Sequence, residues 1–293
     1  MDSFFDRALA AARQLGASDV HLKPGLAPIL RIHGELRTLR DVPPLARDFL
    51  HSLAMSLLND RRREILERTG DVTVALTTPA GMRLRLHVSQ QRGGFGIAAR
   101  LIPAEVPALD SLGLPAELPE LLVPGPGLIV VAAPPGQGRT TTLAALLDDL
   151  GTRHPCHVVT IEDPVELMAK DRRSVVVQRE VGLDVASFAA GLRAATRLDA
   201  DVLMVGELED GEVAELALEA AEAGRLVLAG IVAGSATGAV ERLTALWDPN
   251  ARAQARIRLG AALRGLLFQR LVPTANGKGR TASAELLRAL PAP

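Results

Sequence analysis

Gly136, Gly138, Arg139 and Thr140 lie in APPGQGRTTT, residues 133–142, directly after the apolar run LIVVA. Paired glycines followed by a cation and a run of hydroxyls are the residue set that a phosphate-holding turn requires. Glycine lets the backbone curl until its N–H groups converge on anionic oxygens, and the helix that follows adds the positive end of its dipole. In the pattern G-x-x-x-x-G-K-[ST] the lysine reaches the β- and γ-phosphates and the next hydroxyl ligates Mg²⁺. Here Ala133 stands where that pattern has its first glycine, and Arg139 stands where it has the lysine. Arginine keeps the charge but presents a planar fork instead of a compact, movable ammonium. Two questions stay open: whether the loop binds ATP, and whether it hydrolyses it. Gln137 and Thr141 complete the candidate loop, with Thr140 as the candidate Mg²⁺ ligand. A bare glycine-rich strand-to-helix turn would explain the glycines, but less well the GRTTT helix start.

Two acidic groups follow other apolar runs. Glu162, Asp163 and Glu166 lie in IEDPVE after HVVTI, and Glu207 follows DVLMVG. If those runs are parallel strands, their carboxyl ends share one crevice. One carboxylate would then hold Mg²⁺ directly or through water, and the other would orient the attacking water. Helix capping is the competing use of the same acids. Arg83 and Arg85 alternate on one strand face, where they either charge a cleft or sit in solvent. Arg193 and Arg197 share a helix face, a placement that suits pairing with acids across the sheet or a subunit interface.

Other chemistries find little support. His154 and His157 crowd Cys156 too closely for a zinc spacing, and the remaining histidines scatter over strands and helices. Neither Ser235 nor Cys156 has a base marked beside it, which argues against covalent hydrolysis. The 33 basic and 34 acidic residues nearly cancel, and aromatic residues are only 2%. A nucleic-acid binder would show a basic stripe with stacking rings.

These candidates need elements to carry them. At 293 residues the chain has room for two domains. Residues 3–15 read as an amphipathic helix, and 45–68 as a helical stretch. Alternating segments such as MRLRLHV and FGIAARL read as strands. Together they predict a small α+β domain over 1–101, a proline-bearing linker at 102–114, and a second domain over 115–293. In the second, short apolar runs at 128–132, 157–161, 175–178, 201–206 and 225–231 alternate with helices at 140–150, 187–196 and 211–223. Such alternation predicts an α/β fold with a mostly parallel sheet covered by helices. Residues 251–268 read as a final helix before a hairpin-like end. No run approaches the roughly 18 apolar residues of a membrane span. The opening segment lacks a signal-peptide layout, and a lone cysteine fits a reducing cytosol.

The chain also resembles a family. From ASDVHLKPGLAPILRIHGELRTL through MRLRLHVSQQRGG, APPGQGRTTTL, VVTIEDPVEL, LRAATRLDADVLMVGELED and AAEAGRLVL to GLLFQRLVPTANGKGRTASAELL, it is similar to the secretion and pilus-motor ATPases. The type IV pilus retraction (twitching motility) branch is the nearest match. The resemblance implies a RecA-like P-loop ATPase domain preceded by a PAS-like α+β domain, with ATP and Mg²⁺ as ligands. It implies a hexameric ring, homo-oligomeric or mixed with a related ATPase, acting with an inner-membrane pilus platform protein at the cytoplasmic face of the membrane. Stable nucleic-acid binding is not expected. By position it makes Glu162 the catalytic glutamate and Glu207 the Mg²⁺-associated Walker B glutamate. Arg83, Arg85, Arg92 and Arg100 fall at arginines of the N-terminal domain, some of which approach the phosphates.

The departures from that family matter as much. Arg225 and Val232 stand where its TGH and TLHTN segments carry histidines, and Ala200 where it has proline. The sequence also stops at Pro293, before the helices with an AIRNLI-like segment that the retraction branch carries. Impaired hydrolysis or altered coupling to the pilus is the corresponding expectation. The chain is then either an active motor subunit or a hydrolysis-impaired regulatory or structural one.

Overall fold

The computed structural model describes residues 3–274 and 279–289. The chain divides into two compact units, Met1–Ala104 and Glu105–Pro293, and the boundary falls inside the proline-bearing segment.

The first unit is α+β. It contains α1 (Ser3–Gln14), β1 (Ala17–Leu22), β2 (Ile29–Ile32), β3 (Glu35–Thr38), α2 (Arg47–Leu57), α3 (Asp60–Thr69), β4 (Asp71–Thr77), β5 (Arg83–Gln91) and β6 (Gly94–Ile102). The strands form an antiparallel sheet in the order β3-β2-β1-β6-β5-β4. Their alternation buries one face, including Val20, Leu84, Leu86 and Ala99, against Phe5, Leu9, Leu50 and Leu53 of the helices. The helical stretch expected over 45–68 consists of two helices. Asn59 breaks it: its side chain accepts from Arg62 N at 2.9 Å and caps α3, a use of asparagine that competes with helix continuation.

The second unit is doubly wound. Its elements are β7 (Gly127–Ala133), α4 (Arg139–Arg153), β8 (His157–Glu162), β9 (Val175–Glu180), α5 (Phe188–Ala195), β10 (Val202–Val205), α6 (Gly211–Glu222), β11 (Leu226–Val232), α7 (Ala236–Ala245), α8 (Arg252–Ala262), β12 (Leu263–Pro273) and β13 (Arg280–Arg288). The sheet order is β13-β12-β7-β11-β10-β8-β9, parallel except for β13. Every residue of β7 is buried, because helices cover both faces. Ile129, Val131, Val158 and Met204 pack towards α4, while Leu128, Val130, Val159 and Val205 pack towards α5, α6 and α8.

The expected helix over 251–268 ends at Ala262. Leu263–Pro273 is instead a strand, parallel to β7 and antiparallel to β13. A short buried run such as GLLFQ has no period that separates strand from helix, and the open edge of β7 decides it. The turn of the expected hairpin, 275–278, lies outside the described residues. Helix α7 lacks an obvious sequence signal apart from Ser235, whose hydroxyl accepts from Gly238 N at 3.0 Å. Among the described residues no helix is long and apolar enough to cross a membrane.

Candidate functional site

Parallel pairing of β7, β11, β10 and β8 brings their carboxyl ends to one edge of the sheet. The glycine-rich loop leaves β7 there, Glu162 ends β8, Glu207 follows β10 and Val232 ends β11. This is the edge where open α/β sheets hold ligands.

The loop curls through two left-handed positions, Gly136 at φ 73° and Gly138 at φ 85°. A Cβ on Gly136 would meet nothing within 4 Å, whereas one on Gly138 would lie 2.9 Å from Gln269 Nε2. Glycine is thus required at 136 by conformation, and at 138 by conformation and space. Gln269, buried on β12, fastens the loop. Thr142 Oγ1 donates to Gln269 Oε1 at 2.7 Å, and Gln269 Nε2 donates to the Gln137 carbonyl at 2.7 Å. Leu271 N donates to Gln137 Oε1 at 2.7 Å, so Gln137 is anchored through main chain and side chain. Nothing in the motif points to Gln269; the only signal is a polar residue inside the apolar run GLLFQRL.

Helix α4 starts at Arg139, with Thr140 and Thr141 in its partly exposed first turn. Arg139 runs away from the loop. Its Nη2 donates to Glu207 Oε2 at 2.6 Å, with side-chain exposures of 19% and 32%. The stem crosses Gly230, where a Cβ would lie 3.0 Å from Arg139 Cδ and would also meet the Gly206 carbonyl. The loop cation and the expected metal-associated acid are therefore in direct contact.

Glu162 has different surroundings. It is 5% exposed, and strand alternation puts it on the same face as Thr160, towards α4. Its Oε1 accepts from Thr160 Oγ1 at 2.7 Å and from Gln178 Nε2, on β9, at 3.0 Å. Burial pushes its pKa up to about 7; the two hydrogen bonds pull it down, and the Glu166 and Glu180 charges add to the rise. Leu147, Met204 and Gln178 line a small cavity with it. Glu180 caps the acidic turn from beneath, accepting from Val165 N at 3.0 Å. Thr160 could have been found from its two-residue spacing to Glu162, but Gln178 could not.

The two positions where the resembling family carries histidine separate. Val232 is in register with Ala133, beside the loop. Arg225 precedes the other end of β11 and donates to the Thr196 carbonyl at 3.3 Å. Arg193 pairs with Glu212 in the first turn of α6.

Arg85, Arg92 and Arg100 all lie in the first unit. Arg85 and Arg100 are direct cross-strand partners, and Asp19 is the next across. Two like charges in register repel, and Asp19 offsets this by accepting from Arg100 Nε at 2.8 Å. Burial raises the Asp19 carboxyl, but hydrogen bonds from Ser18 and Arg100 outweigh it and hold the group below its ordinary value. Arg92 occupies the β5–β6 turn at φ 46°.

The loop therefore fits the phosphates of a nucleotide: curled backbone, open space above Gly136 and a helix N-terminus. Among the described residues no three His, Cys, Asp or Glu side chains converge as a metal site.

Known proteins match this architecture along its length. The profile of the type II/IV secretion system protein family matches residues 2–289. The type IV pilus retraction ATPase PilT of Pseudomonas aeruginosa is 35% identical over 284 residues, covering 97% of this chain and 82% of PilT. YggR of Escherichia coli is 38% identical over 287 residues, covering 98% of this chain and 86% of YggR. Among solved structures, the pilus retraction motor PilT with bound ADP aligns with a TM-score of 0.89 and 40% identity, over 97% of this chain and 82% of that one.

Proposed function

This chain belongs to the type II/IV secretion system protein family, and from that premise we propose that it is an ATP-driven motor subunit of a type IV pilus or related secretion apparatus. The observation that carries the reading is the single sheet edge on which the two-glycine loop, Glu162 and Glu207 emerge from parallel strands. That a similar motor holds ADP supports it.

In this reading the backbone N–H groups of 136–140 and the α4 N-terminus bind the phosphates. Thr140 and Glu207 would hold Mg²⁺, which neutralises charge on the transferring phosphoryl group when bound. Glu162, in its ionised form, orients the attacking water and accepts its proton. Arg85, Arg92 and Arg100 belong to a PAS-like domain and are, by the family resemblance, further candidates for phosphate binding. The chain works as a hexameric ring, alone or mixed with a related ATPase, against an inner-membrane platform protein, at the cytoplasmic face.

A second reading has its own observation. Arg139 is engaged by Glu207, and a planar guanidinium is a poor substitute for a lysine that must follow moving charge. A hydrolysis-impaired regulatory subunit of the same machinery would bind nucleotide with little turnover. Phosphate release by the purified protein, beside a Glu162→Gln form, separates the two. Turnover lost in Glu162→Gln supports the motor; bound nucleotide with no turnover above background supports the regulatory subunit.

A further inference from the structure

We propose that Glu207 competes with nucleotide phosphates for Arg139, so that this carboxylate acts as an internal brake on nucleotide binding. The proposal rests on the nucleotide-site reading above and adds a role for Glu207 that does not involve a metal. The ion pair at 2.6 Å joins the first residue of α4 to Glu207, two residues past the end of β10 and 68 positions away in sequence. Both side chains are less than one-third exposed, so water screens the pair less than it would on a free surface.

At Gly230 a Cβ would collide first with the Gly206 carbonyl, at 2.3 Å, and the Arg139 side chain lies over the same spot. That Cβ would stand 3.0 Å from Arg139 Cδ and 3.1 Å from Nε. The longer stem thus passes over bare backbone on β11 to reach its acceptor. A guanidinium beside a carboxylate satisfies much of what Glu207 would otherwise offer a cation. The same charge is what the loop offers a nucleotide's phosphates. Rotation about the bonds of one side chain switches Arg139 between the two acceptors, so binding phosphate entails giving up Glu207.

Competition has a sign that a metal-ligand role alone does not share. Neutralising Glu207 releases Arg139 and strengthens binding of nucleotide that carries no metal. If the carboxylate served only Mg²⁺, the same change would leave metal-free binding unaltered. The test is calorimetric titration of ADP in excess EDTA into the full chain, as wild type, Glu207→Gln, Arg139→Gln and the double variant. We expect Glu207→Gln to tighten metal-free ADP by about tenfold, the scale of a charge-assisted hydrogen bond discounted for partial exposure. In the Arg139→Gln background the same change should move affinity by less than about twofold. An equal gain in both backgrounds would mean that Glu207 simply repels phosphate, and would overturn the competition. Unchanged or weaker binding by Glu207→Gln would overturn it too. Melting temperatures of the four proteins without nucleotide report the pair itself: non-additive losses support it, and additive ones count against it. If no form binds ADP either in EDTA or with Mg²⁺ added, the nucleotide-site reading fails and the brake with it; binding seen only with Mg²⁺ overturns the brake alone. If wild type binds but Glu207→Gln binds no tighter, only the brake fails.

Discussion

Glu162 and Glu207 emerge at the ends of adjacent parallel strands, yet they sit in opposite environments. Glu207 faces a guanidinium and is about one-third exposed. Glu162 is buried, and the hydrogen bonds that reach its Oε1 come from a threonine hydroxyl and a glutamine amide. Glu166 and Glu180 add negative charge around it. One acid carries its countercharge with it, while the other is poised to gain or lose a proton near neutrality. The contrast follows from surroundings rather than residue type: an ion-paired carboxylate after β10, and a carboxyl held up in pKa by burial at the end of β8.

The largest effect expected to test this contrast is on turnover. Glu162→Gln should lower phosphate release about 10²–10⁴-fold, the usual worth of a positioned general base, while metal-free ADP affinity stays within about twofold. Losses of the same size and kind from Glu162→Gln and Glu207→Gln, in turnover and in binding alike, would erase the distinction. The pH dependence sharpens it. Because the pKa of Glu162 is raised to about 7, the folded protein holds a proton that the unfolded chain has released. Its contribution to stability is complete below the unfolded value and is lost as pH rises towards 7. Ionisation at this one site should cost about 3 kcal/mol across that window. Urea unfolding of Glu162→Gln should lack that share of the slope, and wild-type turnover should rise through pH 7 as the base ionises. A variant with the wild-type slope would assign the proton elsewhere.

A smaller effect concerns how the loop is held. Gln269→Leu removes its bonds to Thr142 and Gln137 and leaves a buried hydroxyl without its acceptor. Destabilisation of about 1–3 kcal/mol is expected, with weaker ADP binding by calorimetry. Arg139→Lys shortens the reach to Glu207 and restores a compact cation; a several-fold gain in turnover is expected, and no gain would locate the limit on hydrolysis elsewhere, with Val232 the next position to examine. The smallest effect belongs to Arg225→Ala. Its side chain lies at the far end of β11, so ADP affinity should stay within about twofold despite its altered position in the family pattern.

Much of this was readable in the chain. The apolar runs marked β7, β8, β10 and β11 to within a residue or two, because a strand buried on both faces is apolar throughout. The loop was readable because its glycines and hydroxyls are adjacent in sequence. The strand nature of 263–268 was not, since a short buried run lacks a distinguishing period until an edge strand accepts it. Gln269 and Gln178 were silent for a related reason: each is defined by a partner distant in sequence, 127 residues for Thr142 and 16 for Glu162.

By itself, then, the sequence determined the parallel α/β architecture, the curled loop and which acids stand at strand ends, all products of local pattern and conformational preference. Only the tertiary structure decided that Arg139 lies on Glu207 across Gly230, and that Glu162 is buried among neutral donors. Charge pairing and desolvation depend on what the fold brings within a few ångströms. Residue type and spacing along the chain carry no measure of that distance.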